Sequence, residues 1–411
     1  MQAARFGPRR QLFGTDAGHW LNMPRVRLYA CVALTSYVLC LSIWTVRACV
    51  LQVPGVFPPG GDFVVFWSAA KLALGWGGGA PYDYALLKQV EQAAVPALAV
   101  GDGVLPWLYP PTFLLFVLPL GLLPYGLATF LFMAGGASWY AWVTCRMLPR
   151  EIWVAGIAFP GMAVVLLTGQ NALWLAGCAG LALTSLRTRP VLAGVLMGLV
   201  TVKPHLALMF PVALICARNW RALGAMASTA LGLSLISLLA FGTEPFVEFL
   251  QNAGAARAEL ERGAALLTRM PTVFAATTML SGRLPWSYAL HCSVAAVALA
   301  AVIYAWARPC SFALRAAVLV CAGLLVPPYL YDYDLAFLGL AICWLGMHGY
   351  RNGWLRGERE LLVVLWLLPL CGMSLCSWIG FQPMPIGLLS GLALGVWRIW
   401  QERAGKASRD A

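Results

Sequence analysis

Apolar residues run in long, closely spaced blocks from Leu28 almost to Trp400, interrupted by short polar corners. A bilayer-crossing helix needs roughly 17–25 mainly apolar residues. On that measure the pattern predicts about 12 spans, over 28–51, 112–145 (broken), 152–168, 171–186, 190–203, 204–217, 221–242, 286–307, 314–328, 334–348, 361–378 and 383–400. Several are short and meet at corners such as Gly169-Gln170-Asn171 and Lys203-Pro204-His205. The block 112–145 is too long for one pass and too short for three. Pro119 and Pro124 predict a re-entrant turn followed by a full span, which needs protein or a water cavity around it. The expected fold class is all-α, a polytopic transmembrane helical bundle over 28–400 between an N-terminal segment 1–27 and a tail 401–411.

Composition agrees. Of 411 residues, 61% are hydrophobic and 11% charged, against about 25% charged in soluble domains. This excludes a secreted enzyme, a cytosolic enzyme and a nucleic-acid-binding domain. The net charge of +12 is spread over short loops, where it encodes orientation. With the N-terminus inside, inside segments hold 20 Lys and Arg against six acids, and the remainder holds eight against ten. Both termini are then cytoplasmic. Arg5, Arg9, Arg10, Arg25 and Arg27 precede the first span, which has no small-residue cleavage site and reads as an uncleaved anchor. The long segments 53–111 and 243–285 fall outside. In the first, pieces 63–75 and 82–99, with Phe63, Phe66 and Trp67, are expected as juxtamembrane amphipathic helices on the outer leaflet. The twelve cysteines form no CxxC pair and no Cys/His cluster, so they read as small packing residues.

Polar residues beside apolar spans are costly and mark function or a satisfied pair. Here they gather at the outer ends of the spans, which points to one outward-facing cavity. Asp62 is placed as a general base for a substrate hydroxyl, or as the cap of a helix starting at Phe63. Lys203 and His205 suit a phosphate; the plainer readings are a snorkelling lysine and a packed histidine. In Tyr331-Asp332-Tyr333-Asp334 the acids bind sugar hydroxyls, pair with Lys203 or an arginine, hold a divalent cation, or simply stabilise a helix start. Tyr109 precedes the second block; Gln170 and Asn171 either hydrogen-bond a sugar or cap the next helix. In 243–285, Arg257, Arg262, Arg269 and Arg283 alternate with glutamates, as in a solvated helix with internal ion pairs. The alternative gives one arginine to a phosphate or to anionic lipid headgroups. No metal-ligand set is assigned, and a divalent cation stays open.

At these residues the chain resembles glycosyltransferase family 87, multi-spanning enzymes of the GT-C superfamily. The resemblance rests on Asp62-Phe-Val-Val-Phe-Trp67 with Pro81-Tyr82-Asp83, Tyr109-Pro-Pro-x-Phe-Leu-Leu, Gly169-Gln-Asn171, Arg189-Pro-x-Leu-Ala-Gly194 with Lys203-Pro-His205, and Pro328-Tyr-x-Tyr-Asp-Tyr-Asp334. These lie in family order across roughly 55–340. The resemblance implies a polyprenyl-phosphate sugar donor carrying mannose or another hexose or pentose, and use on the outer face of a bacterial inner membrane. It also implies Asp62 as catalytic base and Lys203 and His205 beside the donor phosphate. Mannosyl-transferring relatives often carry a histidine near the Tyr-Asp-Tyr-Asp segment, where this chain has Tyr329, Leu330 and Tyr331.

The expected reaction is a single displacement. Asp62 takes the proton of a glycolipid or glycan hydroxyl as it attacks the anomeric carbon, and positive charge receives the departing phosphate. No nucleotide fingerprint is evident, as a lipid-linked donor requires none. The rival readings are a multi-span transporter of a polar or lipid-linked solute and a non-catalytic partner in envelope-polysaccharide assembly.

Overall fold

The computed structural model describes residues 19–53, 56–101, 104–262 and 266–410. Arg5, Arg9 and Arg10 of the expected inside segment lie outside the described residues. In chain order the helices are α1 (Met23–Thr45), α2 (Phe63–Trp76), α3 (Tyr84–Ala94), α4 (Pro111–Gly121), α5 (Tyr125–Met147), α6 (Trp153–Ile157), α7 (Pro160–Thr168), α8 (Ala172–Ser185) and α9 (Pro190–Leu199). There follow α10 (Pro204–Ala207), α11 (Met209–Cys216), α12 (Trp220–Phe241), α13 (Glu244–Glu261), α14 (Val273–Ser281), α15 (Leu284–Trp306), α16 (Phe312–Leu325), α17 (Ala336–Asn352), α18 (Glu358–Ile379) and α19 (Met384–Asp410). Among the described residues there is no strand, as the apolar blocks predict.

Four segments are long and apolar enough to cross a membrane: Met23–Val50, Trp220–Phe241, Leu284–Trp306 and Glu358–Ile379. The expectation of about 12 full spans is not reproduced. Most other apolar blocks form helices of 10–17 residues. The reason is local: Pro119 lies near the end of α4, Gly169 ends α7 in the left-handed region, and Pro204 starts a new helix after Lys203. Large apolar side chains face outward across the bundle, including Leu231, Leu239 and Trp378, as on a lipid-facing surface.

The connections sort to two ends. The α8–α9 connection with Arg187, the start of α16 with Arg315 and the later turns of α19 with Glu402 meet at one end, where Glu402 accepts from the Ser311 N–H at 2.9 Å and Arg398 Nε donates to Glu358 Oε1 at 3.0 Å. At the other end the Gly60 N–H donates to the Leu167 carbonyl at 2.8 Å, and Gln382 Nε2 to the Thr268 carbonyl at 2.9 Å. Helices α8, α9, α16, α17, α18 and α19 run between them.

One element departs from expectation. Helix α2 is not amphipathic: Phe63, Val64, Phe66, Ser68, Ala69 and Ala70 are all buried in the protein. It is apolar on nearly every face, and such a helix belongs in a core. Helix α3 keeps the amphipathic character, with Leu87 and Glu91 inward and Asp83 capping it through the Ala85 and Leu86 N–H groups.

Candidate functional site

Two glycines set Asp62. Gly60 and Gly169 both have positive φ, at 77° and 82°, and their backbones touch: a Cβ on Gly169 would lie 2.5 Å from the Gly60 carbonyl oxygen. Only glycine tolerates this combination of backbone angle and approach. The contact lets the Asp62 N–H donate to the Thr168 carbonyl at 2.7 Å, which brings the start of α2 against the end of α7.

The Asp62 side chain makes no capping hydrogen bond to α2, so the cap alternative does not hold in this structure. Its Oδ2 instead accepts from Gln170 Nε2 at 3.0 Å. The carboxyl is half-buried, and that burial raises its pKa; the Gln170 bond and the Arg269 and Lys203 charges pull the other way. Gln170 in turn accepts from the Tyr109 hydroxyl at 3.0 Å, which also reaches Asn171 Oδ1 at 3.5 Å. Tyr109 is held through its carbonyl by the Tyr82 hydroxyl at 2.8 Å. Asn171 stands at the cap position of α8 without capping it, and its buried Nδ2 has no partner.

Beyond Tyr109 the cluster holds two ion pairs. Lys203 lies 5.9 Å from the Tyr109 ring centre and 4.6 Å from that of Tyr333, and its Nζ pairs with Asp334 at 2.6 Å. Both partners are buried, so Lys203 does not snorkel. Asp334 Oδ2 also accepts from the Tyr331 N–H at 3.4 Å. Asp332 takes a fork from Arg269, Nη2 to Oδ1 at 2.9 Å and Nε to Oδ2 at 3.1 Å, with Tyr331 and Tyr333 stacked beside it. His205 keeps a buried Nε2 without a partner on the turn after Lys203. Of the readings open for the two acids, pairing with Lys203 and an arginine is realised, and so is the stabilised helix start, where Asp334 accepts from the Tyr331 N–H and Asp332 from the Tyr333 N–H. Among the described residues no group of three or more His, Cys, Asp or Glu is placed to hold a metal ion.

The structure thus brings Asp62, Tyr109, Gln170, Asn171, Lys203, His205, Tyr331, Asp332 and Asp334 to the same end of the bundle. It adds Arg269 and Tyr333, absent from the expected site. In 243–285, Arg257 pairs with Glu261 at 2.8 Å and Arg262 with Glu259 at 2.5 Å, as a solvated helix should. Arg269 has no acid three or four positions away, a signal it shares only with Arg283 in that segment. The buried Gln382, bonded to the Thr268 carbonyl, pins the turn that carries Arg269. Two large cavities lie away from this cluster, one lined by Trp20, Phe159 and Trp366 and one by Arg187, Ser311 and Arg315.

No curated protein and no solved structure matches the chain. A family model does, that of glycosyltransferase family 87, over residues 107–328. The matched segment holds Tyr109, Gln170, Asn171, Lys203, His205 and Arg269, while Asp62, Asp332 and Asp334 lie outside it and are bonded into it. With more than half of its length matched and an all-helical, lipid-facing architecture, the chain belongs to glycosyltransferase family 87 and is a membrane glycosyltransferase.

Proposed function

We propose that the protein transfers a sugar, mannose or another hexose or pentose, from a polyprenyl-phosphate donor to a glycolipid or glycan acceptor on the extracytoplasmic face of a bacterial inner membrane. The observation that carries this reading is the continuous path from the Asp62 carboxylate through Gln170 and Tyr109 to Lys203. A base and two cations, each with donors left over from its aspartate, share one cluster.

The chemistry follows from those residues. Burial makes Asp62 a stronger base than an exposed aspartate, and Gln170 fixes one of its oxygens. Asp62 accepts the proton of the acceptor hydroxyl as that oxygen forms its bond to the anomeric carbon. The bond from that carbon to the phosphate oxygen breaks on the opposite face, so the anomeric centre inverts. The electron pair leaves on the phosphate, where Lys203 and Arg269 stabilise the charge. Lys203 spends one of its three donors on Asp334, and Arg269 two of its five on Asp332. The remaining donors are the ones offered to the phosphate. The unpartnered amide of Asn171 and imidazole nitrogen of His205 supply further hydrogen bonds to sugar or phosphate oxygens.

Detergent-purified protein incubated with radiolabelled polyprenyl-phosphate mannose and membrane glycolipid tests the proposal, with EDTA in a parallel arm to read metal dependence. Label appearing in a new lipid or glycan is the expected result. Donor that neither binds nor reacts, from any sugar tried, would overturn it in favour of a carrier.

A further inference from the structure

Arg269 reaches Asp332 from a short turn, Leu267–Arg269, whose two sides are held differently. Downstream, Met270 is buried and Thr272 caps α14 by accepting from the Ala275 N–H at 3.1 Å. Upstream, Leu266 is exposed. There the Leu267 and Thr268 carbonyls meet the side-chain amide of Gln382, whose Nε2 lies 3.5 Å from the first and 2.9 Å from the second.

Gln382 comes from the connection between α18 and α19. Gly380 ends α18 in the left-handed region, with φ at 80°, and the chain turns back there. Gln382 Oε1 accepts from the Met384 N–H at the start of α19, at 3.3 Å. That bond orients the amide, so its N–H donors face the turn that carries Arg269. The side chain is fully buried. An apolar side chain in its place would deprive the Thr268 carbonyl and the Met384 N–H of these bonds. The fork that Arg269 makes on Asp332 is planar and two-pronged, so it depends on where the backbone of the turn sits.

We infer that Gln382 is a positioning residue for the transfer, holding Arg269 where the donors not spent on Asp332 meet the phosphate. The inference rests on the reaction proposed above and extends it to a residue beyond the matched segment 107–328.

The test is a double-mutant cycle on the full-length protein in detergent, with Gln382→Met, Arg269→Gln and the two combined. Calorimetry reads the affinity of each for polyprenyl phosphate, the group that departs whatever the sugar, and for the neutral polyprenol; thermal unfolding runs alongside. Arg269→Gln should weaken polyprenyl phosphate binding about tenfold, the scale of a hydrogen bond to a charged group. Gln382→Met should weaken it about fivefold, because Arg269 is present but displaced. The combination should be no weaker than Arg269→Gln alone, since the effect of Gln382 passes through that side chain. Polyprenol binding should be the same in all four proteins. Gln382→Glu keeps the acceptor for Met384 and drops the donor to Thr268, and it replaces Gln382→Met in the cycle if that variant fails to fold. Losses that multiply in the combination, a loss shared by polyprenol, or a Gln382 variant that binds as wild type does would overturn this inference alone. Wild type without affinity for polyprenyl phosphate would overturn the proposed donor and this inference with it.

Discussion

Three side chains decide what the site can do: Asp62, Gln170 and Lys203. Gln170 donates to the charged form of Asp62 and so lowers its pKa against the rise that burial causes. Gln170→Ala removes one lowering contribution and leaves those of Arg269 and Lys203, so Asp62 stays protonated to higher pH. The acid limb of the pH–rate profile should therefore move upward, while an unmoved limb would detach Asp62 from the titration. Lys203 and Asp334 form a buried pair, with side chains 7% and 1% exposed. Removing one charge strands the other, at a cost of about 3–5 kcal/mol. Lys203→Met should lower thermal stability by that order, and Lys203→Met with Asp334→Leu should recover much of it without recovering transfer. Recovery of both would make the pair structural only. At this scale the sequence is informative wherever a charge interrupts an apolar chain, as at Asp62, Lys203, Asp332 and Asp334. It does not reveal which partner each takes. That depends on Arg269, brought from a segment 63 positions before Asp332.

The elements place these side chains through close backbone contact and not through regular helix packing. Gly169 ends α7 and touches the Gly60 backbone, so Gly169→Ala meets both a left-handed backbone, worth about 1–2 kcal/mol, and a carbonyl it cannot displace. Transfer should fall about 100-fold as Asp62 shifts, read by steady-state assay beside a thermal-unfolding control. Helix α3 offers a separate check. Its Glu91 is buried, accepts from the Leu105 N–H at 2.9 Å, and burial pushes its pKa up to about 7. An unfolded glutamate ionises near 4.5. Between those values the folded state holds the extra proton, so stability should fall as pH rises from about 4.5 to about 7 and level off above. Glu91→Gln should flatten that slope in a thermal-unfolding series. Helix positions are largely legible from the apolar blocks, since Pro and Gly end them where expected. The burial of α2 is not. Periodicity cannot separate an all-apolar core helix from one lying on a membrane when the covering elements come from elsewhere in the chain.

On the scale of the whole molecule, charge and chemistry divide between two ends. Arg187, Arg315 and Glu402 meet at one, and the Asp62 cluster with its paired cations occupies the other. The number of full spans is the part the apolar blocks overstate. Polar corners at Gly169–Asn171 and Lys203–His205 cut them into helices too short to cross alone, and those same corners build the site. The proposed chemistry requires that a base at that end drive transfer. The most direct measurement is label transfer from a polyprenyl-phosphate sugar by wild type and by Asp62→Asn, each verified as folded and able to bind the donor. A loss of at least about 100-fold in the variant is predicted, the usual scale of general-base catalysis. Turnover by Asp62→Asn at the wild-type rate would contradict it.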